Sequence, residues 1–367
     1  MSVARKLDHG TSRANSLGRK NRAAVAVVIV NYRTPELAKT CLEAVARERA
    51  AFRDLKVLLV DGGSADTSAE QLHQLIGQGD FSEWVEFLPL QVNGGFGWAN
   101  NQAIQRLIRG SEGPDYIHVL NPDAEVEAGA IGWLSQYLDN HPRTGAIGSK
   151  LLKSDGSSSA SAFRFPSIGS EFARGARTAF LERMFGIRPI SVETEDAAEV
   201  DWVSGASVMF RVEALRQAGL FDEGFFLYHE EVELMWRLRK AGWAIATEPR
   251  SRVRHVGGAA TGVDSDKTRE SAARRNPTYL YRSRTRFFGL TRGRIIAALA
   301  FTAWLAGDAI WKMRKLLRLA PADERVNHEF MDHLSKAFPR KHDFEPAVSK
   351  LGAKPTNVPA WMCKGWL

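Results

Sequence analysis

Two short stretches hold the residues whose types and spacing can do chemistry. In His118-Val119-Leu120-Asn121-Pro122-Asp123-Ala124-Glu125, an apolar run from Tyr116 to Leu120 enters a turn and presents Asp123 at its end. A hard divalent cation between protein and phosphates needs only one or two carboxylates, because phosphate oxygens complete its shell. Asp123 is the first candidate for that contact and Glu125 the second. Asn, Pro and Asp are also ordinary turn residues, so by itself the motif equally describes a surface Asx turn. In Leu227-Tyr228-His229-Glu230-Glu231-Val232-Glu233-Leu234, two adjacent carboxylates open a helical pattern that runs through Arg237 to about Ala241. A single carboxylate within reach of an attacking hydroxyl can take its proton, and a like charge beside it disfavours double ionisation. Acids in a first helical turn also complement the macrodipole with no catalysis involved, and Glu233 with Arg237 has i,i+4 ion-pair spacing.

Two glycine-rich stretches, Asp61-Gly62-Gly63-Ser64 and Asn93-Gly94-Gly95-Phe96-Gly97-Trp98, permit tight turns and close backbone approach to a ligand. Neither fits a dinucleotide fingerprint, and no Lys-Ser/Thr follows Asn93-Gly94-Gly95 as a Walker A loop requires. A NAD enzyme and an ordinary P-loop ATPase are disfavoured on that ground.

The elements that must position these residues alternate between apolar strands and amphipathic helices. Val25–Val30 is a continuous apolar run, as in a strand buried on both faces. Thr34-Pro35 then reads as an N-cap and first helical residue, with Leu37, Cys41, Leu42 and Val45 at helical spacing. Further strands are expected at Lys56–Val60, Trp84–Leu88, Tyr116–Leu120 and Ala146–Leu152, and a helix around Ala128–Leu138. Beyond these come strands near Val200–Phe210, Trp243–Thr247 and Arg252–His255. Residues 153–198 are weakly periodic and read as a long excursion. Such alternation predicts an α/β fold, a Rossmann-like, doubly wound, mostly parallel sheet. Every loop singled out lies at a strand's C-terminal end, where ligands of such sheets bind.

The 367 residues are 44% hydrophobic and 25% charged, an ordinary globular composition. A formal charge of +8 and a pI near 9.5 suggest an anionic partner such as a nucleotide, a membrane surface or nucleic acid. Cys41 and Cys363 are too few for a disulfide framework or a cysteine zinc site, so a reducing cytoplasm is the simplest setting. Residues 1–24 are basic and lack an apolar h-region; they read as a disordered tail rather than a secretory signal.

Five segments, in order and with sensible spacing, resemble family 2 glycosyltransferases of the GT-A fold, and most of all their rhamnosyltransferase-like members. They are Val28-Ile29-Val30-Asn31-Tyr32, Val60-Asp61-Gly62-Gly63-Ser64, Asn93-Gly94-Gly95-Phe96, Leu120-Asn121-Pro122-Asp123 and Phe226 to Leu234. The resemblance implies an inverting enzyme that moves a sugar from a nucleotide donor, dTDP- or UDP-linked with dTDP-L-rhamnose favoured, onto a glycan or polyprenyl-diphosphate-sugar acceptor. It puts the general base on Glu231, with Glu230 beside it. It puts a divalent cation, Mn2+ or Mg2+, on Asp123 and His255. Donor contacts fall to Val30, Asn31, Tyr32, Asp61, Asn93, Gly94, Gly95, Phe96, Asn101 and Asn121, and acceptor contacts to Trp202, Ser204 and Gly205. Trp98 and Trp202 can stack on sugar rings, although a buried aromatic is the commoner role. Three positions depart from the family pattern. Asn121 stands where many relatives have Asp, Glu231 where Asp is commoner, and Gly62 where Asn is frequent.

The expected organisation is a GT-A domain over 25–262, with a nucleotide-sugar half over 25–152 and an acceptor half over 153–262. A basic and apolar helical extension over 263–318 and a tail over 319–367 follow. Ile295–Gly307 is apolar, interrupted by Asp308 and flanked by cations, which fits an interfacial helix as well as a core helix. The expected location is therefore cytoplasmic, peripheral on the inner face of the cell membrane. A nucleic-acid-binding protein is the different-class alternative. The cations cluster at the ends without a nucleic-acid motif, so no nucleic-acid partner is expected. A catalytically silent binding module is the other.

Overall fold

The computed structural model describes residues 24–52, 54–77, 80–109, 113–258, 276–319 and 328–335. The basic stretch 1–23, the start of the extension at 263–275 and most of the C-terminal tail lie outside the described residues.

Strands β1 (Val25–Asn31), β2 (Leu55–Asp61), β3 (Val85–Pro89) and β4 (Tyr116–Leu120) alternate with helices α1 (Pro35–Glu48), α2 (Ser68–Gly77) and α3 (Phe96–Ile108). The four strands pair in parallel in the order β4-β1-β2-β3. Every residue of β1 and β4 is buried, as their unbroken apolar runs require. β5 (Ala124–Val126), α4 (Ala130–Asn140) and β6 (Thr144–Leu152) follow.

Residues 153–198 hold more structure than their weak periodicity suggests. β7 (Ser158–Ser159) pairs with β6, and β8 (Ala162–Phe163) joins β9 (Ser191–Val192) in a separate small sheet. Between them lie α5 (Ile168–Ala176), closed by a capping box of Ser167 and Ser170, and the short α6 (Ala179–Met184). β10 (Ala198–Glu199) returns the chain to the main sheet, and β11 (Trp202–Val203) completes the small one.

β12 (Ser207–Arg211) is inserted antiparallel between β4 and β6, so the parallel run ends there. After α7 (Val212–Ala218) and α8 (Glu230–Lys240), the expected pair of C-terminal strands is one long strand, β13 (Ala244–His255). A register shift between Glu248 and Arg252 bends it. A polar line crosses the sheet here. His118 meets Ser207 at 2.9 Å, Ser207 meets Ser149 at 2.7 Å, and Ser149 meets Ser251 at 2.9 Å, all buried. Burial drives the His118 imidazole down to about 3, so it is a neutral member of this line.

α9 (Thr278–Leu316) is kinked at Gly293, whose φ of 85° and ψ of 166° lie outside helical space. Its first half packs beside α8, through Phe287 and Phe288 against Phe225 and Val232. Its second half crosses α5, where Gly175 and Gly307 let the backbones touch. α10 (Glu329–Ser335) closes over this junction, with His333 stacked on Trp304 at 4.2 Å.

Candidate active site

The tips of β1, β2 and β4 and the start of α3 surround a cleft of about 370 Å³. Val30, Tyr32, Asn93, Gly95, Phe96, Asn121, Asp123 and His255 line it, bringing together eight of the residues singled out in the sequence. Thr34, Phe226, Tyr228 and Tyr279 line it too; of these, Tyr279, which arrives from α9, belongs to no motif read in the sequence.

Asp123, in the turn between β4 and β5, and His255, the last residue of β13, meet directly, His255 Nε2 lying 3.2 Å from Asp123 Oδ1. The antiparallel pairing of β5 with β13 sets His255 opposite Ala124, one residue past Asp123. Asn121 Nδ2 lies 3.2 Å from the same imidazole nitrogen, and the Gly257 amide donates to Asp123 Oδ2 at 3.1 Å. Burial pushes the Asp123 carboxyl up, but the hydrogen bonds from His255 and Gly257 outweigh it and hold it below its ordinary value. Beneath this turn the Cys41 thiol reaches the Asn121 carbonyl at 3.4 Å, and burial beside Asp123 and Glu125 keeps it protonated.

A carboxylate oxygen and an imidazole nitrogen side by side suit Mn2+ well and Mg2+ less well. Among the described residues no group of three or more His, Cys, Asp or Glu is assembled for a metal. A cation held by Asp123 and His255 must therefore complete its shell with substrate oxygens and water. Glu125, the second candidate, sits on β5 in register with Arg254 and does not line the cleft.

Glu230 and Glu231 open α8, directly after the Phe226–Tyr228 segment of the cleft wall, and are not themselves among the residues that line the cleft. A Cβ placed on Gly205 would lie 3.7 Å from both the Glu231 side chain and the rim of Phe96, so Gly205 leaves an opening between them. Glu231 is half-buried, and one of its carboxylate oxygens is buried with no hydrogen-bond partner. Burial pushes its carboxyl up to about 7. Glu230 is 3% exposed and packs near Gly97; burial and the Glu231 charge push its carboxyl well above the ordinary range. The pair is approached through two consecutive residues in left-handed backbone, Tyr228 (φ 68°) and His229 (φ 69°). Neither is glycine, so the turn is strained where it aims α8.

Several expected contacts resolve differently. The Asn31 amide donates to Asp61 Oδ1 at 2.9 Å, and Ser64 donates to both Asp61 oxygens. Asn31 and Asp61 are both buried and bind the two strand tips to each other rather than lining the cleft. Thr34 makes no side-chain cap for α1; its amide and hydroxyl both donate to Asn31 Oδ1 at 3.2 Å. The Asn101 amide donates to the Phe221 carbonyl at 2.9 Å and to Glu223 at 3.0 Å, so it anchors the segment leading to α8 and stays out of the cleft.

The glycines of the Asn93 loop serve close packing. Gly94 makes room for the Trp98 ring, and Gly95, at φ 92°, lies so near the Phe226 carbonyl that a Cβ would come within 2.1 Å. Trp98 is buried in the core, and Trp202 stacks on Phe163 at 4.1 Å while donating to the Arg164 carbonyl. Neither indole lines the cleft. Ser204 instead lines a second, polar recess of about 340 Å³, which His255 divides from the first.

Known proteins resemble this chain in sequence and in fold. The family described as "Glycosyltransferase like family 2" matches residues 22–276, and the chain belongs to that family. It is a glycosyltransferase. The N-acetylglucosaminyl-diphospho-decaprenol L-rhamnosyltransferase of Mycobacterium tuberculosis is 33% identical over 244 residues, covering 63% of this chain and 76% of that protein. The low-salt glycan biosynthesis hexosyltransferase Agl10 of Haloferax volcanii is 24% identical over 59% of this chain and 62% of its own. Among solved structures, the mannosyltransferase PcManGT of Pyrobaculum calidifontis, in complex with GDP-Man and Mn2+, superposes with a TM-score of 0.50 at 14% identity. That match covers 81% of this chain and 76% of the other. GalNAc-T7 with UDP, GalNAc and Mn2+ gives 0.51 at 15% identity, covering 86% of this chain and 57% of the other. These two likenesses speak for the fold, which is GT-A, a mixed and mostly parallel sheet with a C-terminal helix added.

Proposed function

We propose that the chain transfers L-rhamnose from dTDP-L-rhamnose, with inversion, to a polyprenyl-diphosphate-linked sugar at the cytoplasmic face of the membrane. The observation that carries the reading is the meeting of Asp123, His255 and Asn121 at a cleft lined by Phe96, with the Cβ position of Gly205 3.7 Å from both the Phe96 ring and the Glu231 side chain. The mycobacterial relative, named for rhamnosyl transfer to such a lipid-linked sugar, supports the choice of donor and acceptor. The Mn2+ in both solved relatives supports a divalent cation.

The leaving group is a nucleoside diphosphate, which needs charge neutralisation more than a proton. A divalent cation held by Asp123 and His255 would supply that as a Lewis acid. Asn93, Gly95 and Tyr32 border the space in which the donor would lie. Glu231, whose carboxyl titrates near pH 7, accepts the proton of the acceptor hydroxyl as that oxygen bonds to the anomeric carbon. The bond from that carbon to the donor phosphate oxygen breaks, and its electron pair leaves with the diphosphate. One displacement on the opposite face inverts the centre. Burial and the Glu231 charge push the Glu230 carboxyl well up, so of the two adjacent acids Glu231 is the one that carries the charge.

The test is nucleotide release by the purified chain over a panel of dTDP-, UDP- and GDP-sugars, with a diphosphate-linked N-acetylglucosamine acceptor and Mn2+ or Mg2+. Acceptor-dependent release of dTDP from dTDP-L-rhamnose is expected. Preference for a UDP-sugar would replace the donor assignment, and release from no donor would remove the reading.

A further inference from the structure

The second half of α9 presents an apolar face to solvent. From Ile295 through Leu299, Thr302, Ala306, Ala309 and Met313 to Leu316, residues three or four apart share one side of the helix. Ile295 is 77% exposed and Leu316 83%, while Trp304, Gly307 and Trp311, about half a turn round the helix, are buried. A surface helix ordinarily turns charged residues to water and apolar ones to the core. Here both sides are apolar, and the outward side carries no charge.

The charges lie beside and beyond the stripe. Asp308 is the single acidic residue between 278 and 319; it is buried on the inner side and paired with Lys312 at 2.8 Å. Arg294 precedes the stripe, Lys312 and Lys315 flank its last turn, and Arg318 follows it, all exposed. A second copy of the chain, in either helix direction, would set these cations against each other, and the one acid of the helix, Asp308, is buried and already paired with Lys312. Anionic headgroups would meet cations at both ends of the apolar face. A bilayer crossing, which the helix's length and hydropathy would permit, conflicts with its inner side. That side is sealed on α5, where a Cβ on Gly307 would lie 2.3 Å from the Phe172 carbonyl, and α5 carries the charged Glu171 and Arg174.

We infer that residues 295–316 lie flat in the interface of an anionic phospholipid bilayer, outer face down, with the catalytic domain above. The inference rests on the proposed lipid-linked acceptor for its purpose but not for its test. An in-plane helix binds through buried apolar area plus attraction to anionic lipid, so charges placed on the stripe should abolish binding without touching the cleft.

The experiment is flotation of the full-length protein with phosphatidylglycerol–phosphatidylcholine vesicles and with pure phosphatidylcholine vesicles at physiological salt. It compares wild type with L299E/M313E and reads transfer to a water-soluble acceptor in parallel. Wild type should float with the anionic vesicles and much less with neutral ones. The double variant should lose about tenfold or more of that partition while keeping the wild-type circular dichroism spectrum and transfer rate. Equal flotation of wild type and variant would overturn the inference. So would a wild-type dimer in sedimentation equilibrium that the variant abolishes, since that assigns the face to a second copy. Failure of all transfer to the soluble acceptor would count against the proposed reaction and leave the vesicle result standing.

Discussion

Arg286 and Asp222 meet in a buried ion pair at 2.5 Å, each side chain 1% exposed, joining α9 to the segment that leads into α8. Arg286 also fills the space above Gly224, and the Ser283 hydroxyl donates to the Leu227 carbonyl at 2.9 Å. Tyr279 contacts the Phe226 and Tyr228 rings, and Phe287 the His229 ring. The first half of α9 thus supports the turn that delivers Glu230 and Glu231.

Breaking that pair on one side strands a buried charge, which typically costs about 3–5 kcal/mol. Arg286→Met should lower the melting temperature and transfer together. Replacing both partners by apolar residues, R286M/D222L, should recover much of the stability, because two well-packed hydrophobes often match a buried pair. Thermal unfolding of the single and double variants checks this.

The pH dependence follows from Glu231. Burial raises its carboxyl from 4.5 to about 7 in the folded chain. A general base must be ionised, so kcat/KM should fall as pH drops through about 7, and Glu231→Gln should abolish transfer while donor binding stays near wild type. Between pH 4.5 and 7 the folded state binds more proton than the unfolded one. The stability Glu231 lends is therefore complete below about 4.5 and lost as pH rises through about 7. At pH 8 the Gln variant should be the more stable protein, by up to about 3 kcal/mol, which urea unfolding at pH 5 and pH 8 would measure. Equal slopes for both proteins would remove Glu231 from the buried, protonated set.

Asp123 and His255 should act as one unit toward a cation. Asp123→Asn and His255→Ala should each weaken Mn2+-dependent donor binding tenfold or more, at least about 1.4 kcal/mol. Metal-free binding should change little. Calorimetric titration of the donor nucleotide, with Mn2+ and with a chelator, separates the two; a metal requirement unchanged in both variants would discard the pair as ligands.

Gly95→Ala tests the contact between the Asn93 loop and Phe226. A Cβ there would meet the Phe226 carbonyl at 2.1 Å on a backbone with φ 92°. Its cost should exceed about 1 kcal/mol, whereas Gly77→Ala, with nothing within 4 Å of its Cβ, should be neutral or stabilising in thermal melts.

Much of this was legible along the chain. The apolar runs of β1, β2 and β4 fixed which loops share the C-terminal edge of the sheet, and hence that Asp123, Asn93 and Tyr32 would meet. Helix α5 was less legible: its capping box uses Ser170 where Glu or Gln is the familiar partner, so its start at Ile168 passed for loop. The partners of Asn31, Asp61 and Asn101 are not legible in the sequence, because a polar residue beside a glycine turn looks the same whether it faces a ligand or another strand tip. Their partners lie 30 or more residues away. Tyr279 had no local sign at all, since only the packing of α9 brings it to the cleft.

The paired left-handed residues Tyr228 and His229 have a bearing on engineering. Holding two bulky side chains in that backbone costs about 1–2 kcal/mol apiece. Glycine at these positions would relieve that backbone strain, but it would remove the ring contacts with Tyr279 and Phe287 and slacken the aim of the two carboxylates. A sturdier catalyst is better sought in the outer loops than at this corner, where durability and turnover pull in opposite directions.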